Sequence, residues 1–209
     1  MAKLDLSLYL VTNSEGLSLE KFLDIVAQAC EGGVTLVQLR EKEKTGKEYY
    51  ELAVKAKAVT DRYGVPLVID DRADIAVAAG AAGVHLGQSD LPVAAARALM
   101  GPGKIIGASA KTVEQAIAAE EAGADYLGTG AIFPTTTRVI TVLTPVETLK
   151  DIAASVKIPV VAIGGLNAGN LSAIYGSGAK GAAVVTAIMG SADPKSAAAN
   201  LRRLVDEYL

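Results

Sequence analysis

Val34-Thr-Leu-Val-Gln-Leu-Arg-Glu-Lys42 opens as an apolar, β-branched run and closes on Gln38, Arg40, Glu41 and Lys42. The first half predicts a buried strand. The second half cannot lie in a dry core without partners, because an unpaired charge there is heavily penalised. The strand should therefore end at an open face, with Gln38, Arg40 and Lys42 directed at something anionic. The rest of the chain repeats this pattern of an apolar run followed by a polar exit.

Working outward, Leu6–Thr12 reads as a strand ahead of it, and Ser18 as the cap of a helix running to about Glu31 and stopped by Gly32-Gly33. Downstream, helical spacing covers Lys47–Tyr63. Pro66–Asp71 reads as a strand with acidic residues at its end, followed by a short Ala-rich helix to Ala79. Gly83–Gly87 is a fourth strand leaving through Gln88-Ser89-Asp90, and Pro92 suits the first turn of the next helix. Lys104–Ser109 and Asp125–Gly130 are strands five and six, separated by a helix over Val113–Ala122. A polar loop, Phe133–Arg138, precedes a helix over Pro145–Val156. Pro159–Ile163 is a seventh strand leaving through Gly164-Gly165, and Asn170–Tyr175 a short helix. Gly181–Thr186 is the eighth strand, and Pro194–Leu209 closes the chain as a helix.

Eight continuous apolar strands alternating with helices predict a parallel sheet covered on both faces. In 209 residues they fit one single-domain (β/α)8 barrel spanning residues 1–209. A doubly wound open sheet is the competing arrangement, but it concentrates its glycines in one early turn, and here they are spread along the chain. No linker or domain boundary is evident.

Half the residues are apolar, and the net charge of −3 comes without clustered Lys or Arg. This speaks against a nucleic-acid surface. The single cysteine, Cys30, lies in a helical pattern and is expected to be a buried, reduced thiol. No apolar run reaches the length of a membrane span, and the N-terminus lacks the apolar segment of a signal peptide. These features lead us to expect a cytoplasmic protein. Nothing in the pattern fixes an oligomeric state.

In a (β/α)8 barrel all eight C-terminal strand ends meet on one face. The strand exits then form a chemical inventory: Gln38, Arg40, Lys42; Asp70, Asp71; Gln88, Asp90; Ser109; Thr135, Thr137, Arg138; Gly164, Gly165; Val185, Thr186. Asp71 and Asp90 leave consecutive units, and two carboxylates with substrate phosphate oxygens suit Mg²⁺. The alternative role for both is helix capping. Strand alternation should turn Asp70 away from Asp71. Arg40 can grip phosphate bidentately and Lys42 acts as a point charge; a solvated ion pair with Glu41 or Glu43 is the plainer reading of Lys42. Gly164-Gly165 and Val185-Thr186 occupy the place where barrels often cradle phosphate with backbone N–H groups, although a glycine turn needed only for tight connection would look the same. Thr135, Thr137 and Arg138 sit on a loop long enough to cover a site. His85, the one histidine, lies in an apolar strand and reads as a packed core residue rather than a base. No Ser/His/Asp set and no His/Cys metal cluster is present in the pattern. The inventory amounts to two anion sites, suited to joining two phosphorylated small molecules without a protein nucleophile.

Gln38-Leu-Arg-Glu-Lys42, Ile69-Asp-Asp-Arg72, Gly83-Val-His-Leu-Gly-Gln-Ser-Asp90, Gly107-Ala-Ser109, Phe133-Pro-Thr-Thr-Thr137, Ile163-Gly-Gly165 and Val184-Val-Thr-Ala-Ile188 fall in an order that resembles the thiamin phosphate synthase family over nearly the whole chain. The resemblance implies a (β/α)8 barrel that condenses hydroxymethylpyrimidine diphosphate with thiazole phosphate, releasing pyrophosphate by a dissociative route. It implies that Gln38, Leu39, Arg40, Glu41 and Lys42 bind the pyrimidine diphosphate beside Asp70, and that Asp71 and Asp90 bind Mg²⁺. Ser109 would touch the pyrimidine, and Thr135, Thr137, Gly165, Val185 and Thr186 the thiazole phosphate. Arg40, Lys42 and Arg138 would be the catalytic cations. The sequence departs from the family where Asp70 replaces a usual Asn, Arg138 a usual Lys, and apolar 139–143 a usually polar loop. A thiazole tautomerase-like relative and a non-catalytic phosphate-binding barrel are the competing readings; the Asp71 and Asp90 pair argues against the first.

Overall fold

The computed structural model describes residues 4–135 and 142–209. Eight parallel strands close on themselves in sequence order: β1 (Leu8–Val11), β2 (Leu36–Leu39), β3 (Leu67–Asp70), β4 (Gly83–Leu86), β5 (Ile105–Ser109), β6 (Tyr126–Thr129), β7 (Val160–Ile163) and β8 (Ala182–Val184). Closure comes from β8 pairing with β1, with Leu8 opposite Ala182 and Leu10 opposite Val184. An open doubly wound sheet is therefore excluded.

The helices are α1 (Leu19–Glu31), α2 (Gly46–Asp61), α3 (Ala73–Ala78), α4 (Val93–Met100), α5 (Val113–Glu121), α6 (Val146–Ser155), α7 (Thr186–Met189) and α8 (Pro194–Tyr208). Local chemistry sets their starts. The Ser18 hydroxyl accepts from the Lys21 amide at 3.2 Å, and Thr45 with Glu48 forms a reciprocal capping box at α2. After β7 the usual helix is reduced to a 3₁₀ turn, Leu171–Ile174. Most boundaries differ from the sequence reading by one or two residues, and at one of them the type of element changes. The eighth strand ends at Val184, and Thr186 starts a four-residue helix, α7, instead of extending the strand.

Strand alternation divides the apolar residues into two cores. Leu6, Tyr9, Val11, Leu36, Val68, Tyr126, Val161 and Ala183 fill the barrel interior. Leu8, Leu10, Val37, Leu39, Leu67, Ile69, Val84, Leu86 and Ile106 face the helices. Along β2 this puts Leu36 and Gln38 inside and Val37 and Leu39 outside, so Gln38 lies above the interior core. Cys30 is buried in the outer core, and burial pushes its thiol pKa up to about 12. Among the described residues, no helix is long and apolar enough to cross a membrane.

Candidate active site

Above the interior core, at the C-terminal ends of the strands, lies a cavity of about 610 Å³. Its lining gathers Gln38, Arg40 and Lys42 from the end of β2, Asp70 and Asp71 from β3, Asp90 from beyond β4 and Ser109 from β5. Thr135, Gly164, Gly165, Val185 and Thr186 complete it from the other side.

The β2 side is a charge cluster. Lys42 Nζ lies 2.8 Å from Asp70 Oδ2 and also pairs with Asp71. Arg40 Nε is 3.8 Å from Asp70. Burial alone would lower the Lys42 pKa; the Asp70 and Asp71 carboxylates outweigh it and hold the ammonium above the ordinary lysine value. Burial, followed by the Asp71 charge, pushes Asp70 up, while Lys42 and Arg40 pull it down. Asp90 is raised by burial and by its contact with Asp71, against a 2.6 Å hydrogen bond donated by the Gly87 amide.

Asp71 is the one described residue other than glycine with positive φ, at 63°. This left-handed backbone is unfavourable for most side chains but tolerated by Asp. It ends the strand alternation at Asp70. The expectation that Asp70 would point away from Asp71 is thus corrected, because both carboxylates reach Lys42. Neither Asp71 nor Asp90 stands at the N-cap position itself, which is Arg72 in α3 and Pro92 in α4.

The opposite side is built from backbone. Gly164 and Gly165 have φ of 100° and 65°, and a Cβ on Gly165 would fall 2.6 Å from the Pro134 carbonyl oxygen. The Asn170 and Asn167 side-chain amides donate to the Gly165 carbonyl at 2.9 and 3.2 Å, fixing that peptide's orientation. Thr186 opens α7 beside them, and first-turn N–H groups have no intrahelical partner. This side presents backbone and neutral side chains, whereas the β2 side presents Arg40 and Lys42 among the carboxylates of Asp70, Asp71 and Asp90.

A family model described as thiamine monophosphate synthase matches residues 8–188. Thiamine-phosphate synthase 2 of Streptococcus pneumoniae is 54% identical over 188 residues, 90% of each chain. The thiamine-phosphate synthase of Lacticaseibacillus paracasei is 53% identical over 189 residues, covering 90% of this chain and 89% of that one. The solved structure of thiamine phosphate pyrophosphorylase from Pyrococcus furiosus superposes with a TM-score of 0.88 at 41% identity, covering 99% and 98% of the two chains. The chain belongs to the thiamine monophosphate synthase family. Membership makes it a transferase of thiamin biosynthesis.

Most of the residues expected to form this synthase site line one cavity. Leu39 and Glu41 do not. Leu39 is fully buried in the outer core, and Glu41 turns to Ser14 Oγ at 2.9 Å and Lys44 at 3.8 Å. Thr137 and Arg138 lie outside the described residues, as do 139–141; Val142 and Leu143 beyond them are exposed. Two cavity-lining residues, Lys111 and Tyr9, escaped the sequence reading. Gln88, already counted among the strand exits, lines the cavity too, and its Nε2 donates to the Ser109 carbonyl at 2.6 Å. Lys111 follows the end of β5 by two positions, a signal that strand-end counting could have used.

A divalent ion at this site would fall to the carboxylates. Among the described residues, no three His, Cys, Asp or Glu side chains group to hold a metal by themselves. Asp71 and Asp90 do meet, and Asp90 is held above its ordinary pKa partly by that meeting. Two carboxylates forced together favour a shared cation, and two are enough for an ion that keeps waters and takes phosphate oxygens. The donor set fits Mg²⁺.

Proposed function

We propose that this cavity joins hydroxymethylpyrimidine diphosphate to thiazole phosphate, giving thiamin phosphate and pyrophosphate. The observation that carries the reading is the meeting of two unlike anion sites in one cavity of about 610 Å³. The cationic, carboxylate-bearing side suits a diphosphate with its metal, and the neutral backbone side suits a monophosphate.

In the dissociative step the carbon–oxygen bond to the diphosphate breaks and its electron pair leaves with pyrophosphate. The aminopyrimidine ring stabilises the carbocation left at the methylene. The thiazole nitrogen then donates its lone pair to form the new carbon–nitrogen bond. Mg²⁺ held by Asp71 and Asp90 would neutralise charge on the leaving group. Arg40 and Lys42 contribute to the same end: their fixed positive charge meets negative charge as it develops on the departing oxygen. Ser109, on β5, faces the same cavity and suits the pyrimidine. Gly165, Val185, Thr186 and Thr135, which line the opposite side of the cavity, hold the thiazole phosphate. The buried floor of Tyr9, Tyr126 and Val161 keeps bulk water from the cation below.

Pyrophosphate release should require both substrates and Mg²⁺ together, and a chelator should abolish it. A coupled pyrophosphate assay that stays silent with all three present would refute the proposal.

Asp70 opposes the diphosphate. It sits between Lys42 and Arg40 and competes for both. Asp70→Asn leaves Lys42 its Asp71 partner and removes one like charge, a net gain of about 1 kcal/mol after screening. The KM for the pyrimidine diphosphate should fall by about fivefold, and calorimetry with inorganic pyrophosphate and Mg²⁺ should show matching tighter binding. Unchanged or weaker binding would mean that Asp70 does not face the anion.

A further inference from the structure

The cavity floor carries a continuous hydrogen-bonded chain that the reaction scheme leaves unused. Gln38 Nε2 donates to the Tyr9 hydroxyl at 2.5 Å, and the Tyr9 and Tyr126 hydroxyls are 2.7 Å apart. The Tyr126 hydroxyl lies 3.0 Å from His85 Nδ1, and His85 Nε2 lies 3.0 Å from Ser109 Oγ. The chain crosses the barrel interior from β2 to β5, and Tyr9, Gln38, His85 and Tyr126 are all buried. The fold clears space for it. A Cβ on Gly107 would fall 2.2 Å from Tyr126 Cζ, and one on Gly128 would fall 3.1 Å from His85 Cε1.

Each tyrosine hydroxyl has one proton and is bonded only to its neighbours in this chain, so satisfying every buried proton makes the first donor set the direction of the later bonds. The Gln38 amide donates to Tyr9, so Tyr9 passes its proton to Tyr126. Tyr126 then donates to His85 Nδ1. A neutral imidazole that accepts at Nδ1 carries its proton on Nε2, and gives that bond to Ser109 Oγ. The Ser109 proton is the one left over, and Ser109 lines the cavity. Burial pushes both tyrosine pKa values well up, so their protons stay in place.

We infer that Tyr9, Tyr126 and His85 are positioning residues that fix the Ser109 hydroxyl as a hydrogen-bond donor, so that the site selects a pyrimidine presenting a ring-nitrogen lone pair to it. The inference rests on the reading that Ser109 faces the pyrimidine. It involves no change of charge, only the placement of neutral protons.

The chain contains one histidine, so ¹⁵N-histidine NMR of the whole protein reports His85 alone. The expected spectrum has a protonated, pyrrole-like Nε2 and an unprotonated, pyridine-like Nδ1. A proton on Nδ1 would reverse every bond in the chain, make Ser109 an acceptor and overturn the inference. Tyr126→Phe should mix the two tautomers and raise the KM for the pyrimidine diphosphate about tenfold, leaving the KM for thiazole phosphate unchanged. His85→Gln, which can still offer Ser109 an N–H, should retain most of the affinity that His85→Leu loses. Equal losses in Gln and Leu variants would indicate a purely packing role and overturn the inference. Absence of pyrophosphate release by the unaltered protein would instead sink the functional reading and with it the pyrimidine; the tautomer, read on the free protein, decides the direction of the hydrogen bonds separately.

Discussion

Arg40→Ala is expected to lower kcat/KM by about 10²- to 10³-fold, the usual cost of removing one fixed group that stabilises charge developing in the transition state. The Arg40 side chain is largely buried at the cavity wall and rests 3.8 Å from Asp70. It is therefore held in place before substrate arrives. Its loss should not unfold the barrel, because Asp70 keeps Lys42 at 2.8 Å. Arg40→Lys should recover only part of the activity, since an ammonium keeps the charge but not the planar fork that grips two phosphate oxygens. Steady-state pyrophosphate release for the three proteins, with a thermal melt of each, tests this. An alanine variant with unchanged kcat/KM would remove Arg40 from the leaving-group site.

Asp90→Asn should cost activity on the order of 10²-fold at moderate Mg²⁺ and recover part of it as Mg²⁺ is raised. Asparagine is the informative replacement. Asp90 Oδ2 accepts from the Gly87 amide at 2.6 Å, and an amide oxygen can keep that bond and the loop it closes. What disappears is the negative charge facing Asp71. Calorimetry with Mg²⁺ and inorganic pyrophosphate should show weakened joint binding, while pyrophosphate alone binds no worse than before. Mg²⁺ dependence identical to that of the parent protein would leave Asp90 with its loop-closing role only.

Much of this site was legible because strand periodicity is simple. Val34–Lys42 gave both the strand and its inward residues: with Leu36 in the interior core, every second position through Gln38 and Arg40 must face inward too. The same rule argues against Leu39 and Glu41, which the family resemblance had included as part of a contiguous segment. Asp71 defeated the rule because its backbone is left-handed, and nothing in Ile69-Asp-Asp-Arg72 announces a positive φ at the second Asp. The end of β8 was misplaced because Val184-Val-Thr continues a β-branched run; the helix beginning at Thr186 is set by tertiary packing against that propensity. Tyr9 and Tyr126 fall within two predicted strands and carry no motif of their own. Their hydroxyls acquire meaning only when barrel closure brings them, from β1 and β6, to 2.7 Å from each other.

The packed interior beneath Tyr9 and Tyr126 makes the cavity a cul-de-sac, with Leu6, Leu36, Val68 and Val161 sealing its lower end. Among the described residues, the way in is from the C-terminal strand ends. On the proposed reading, a pyrimidine lying over His85 and Ser109 would be the deepest guest, and it would come out only as part of the joined product.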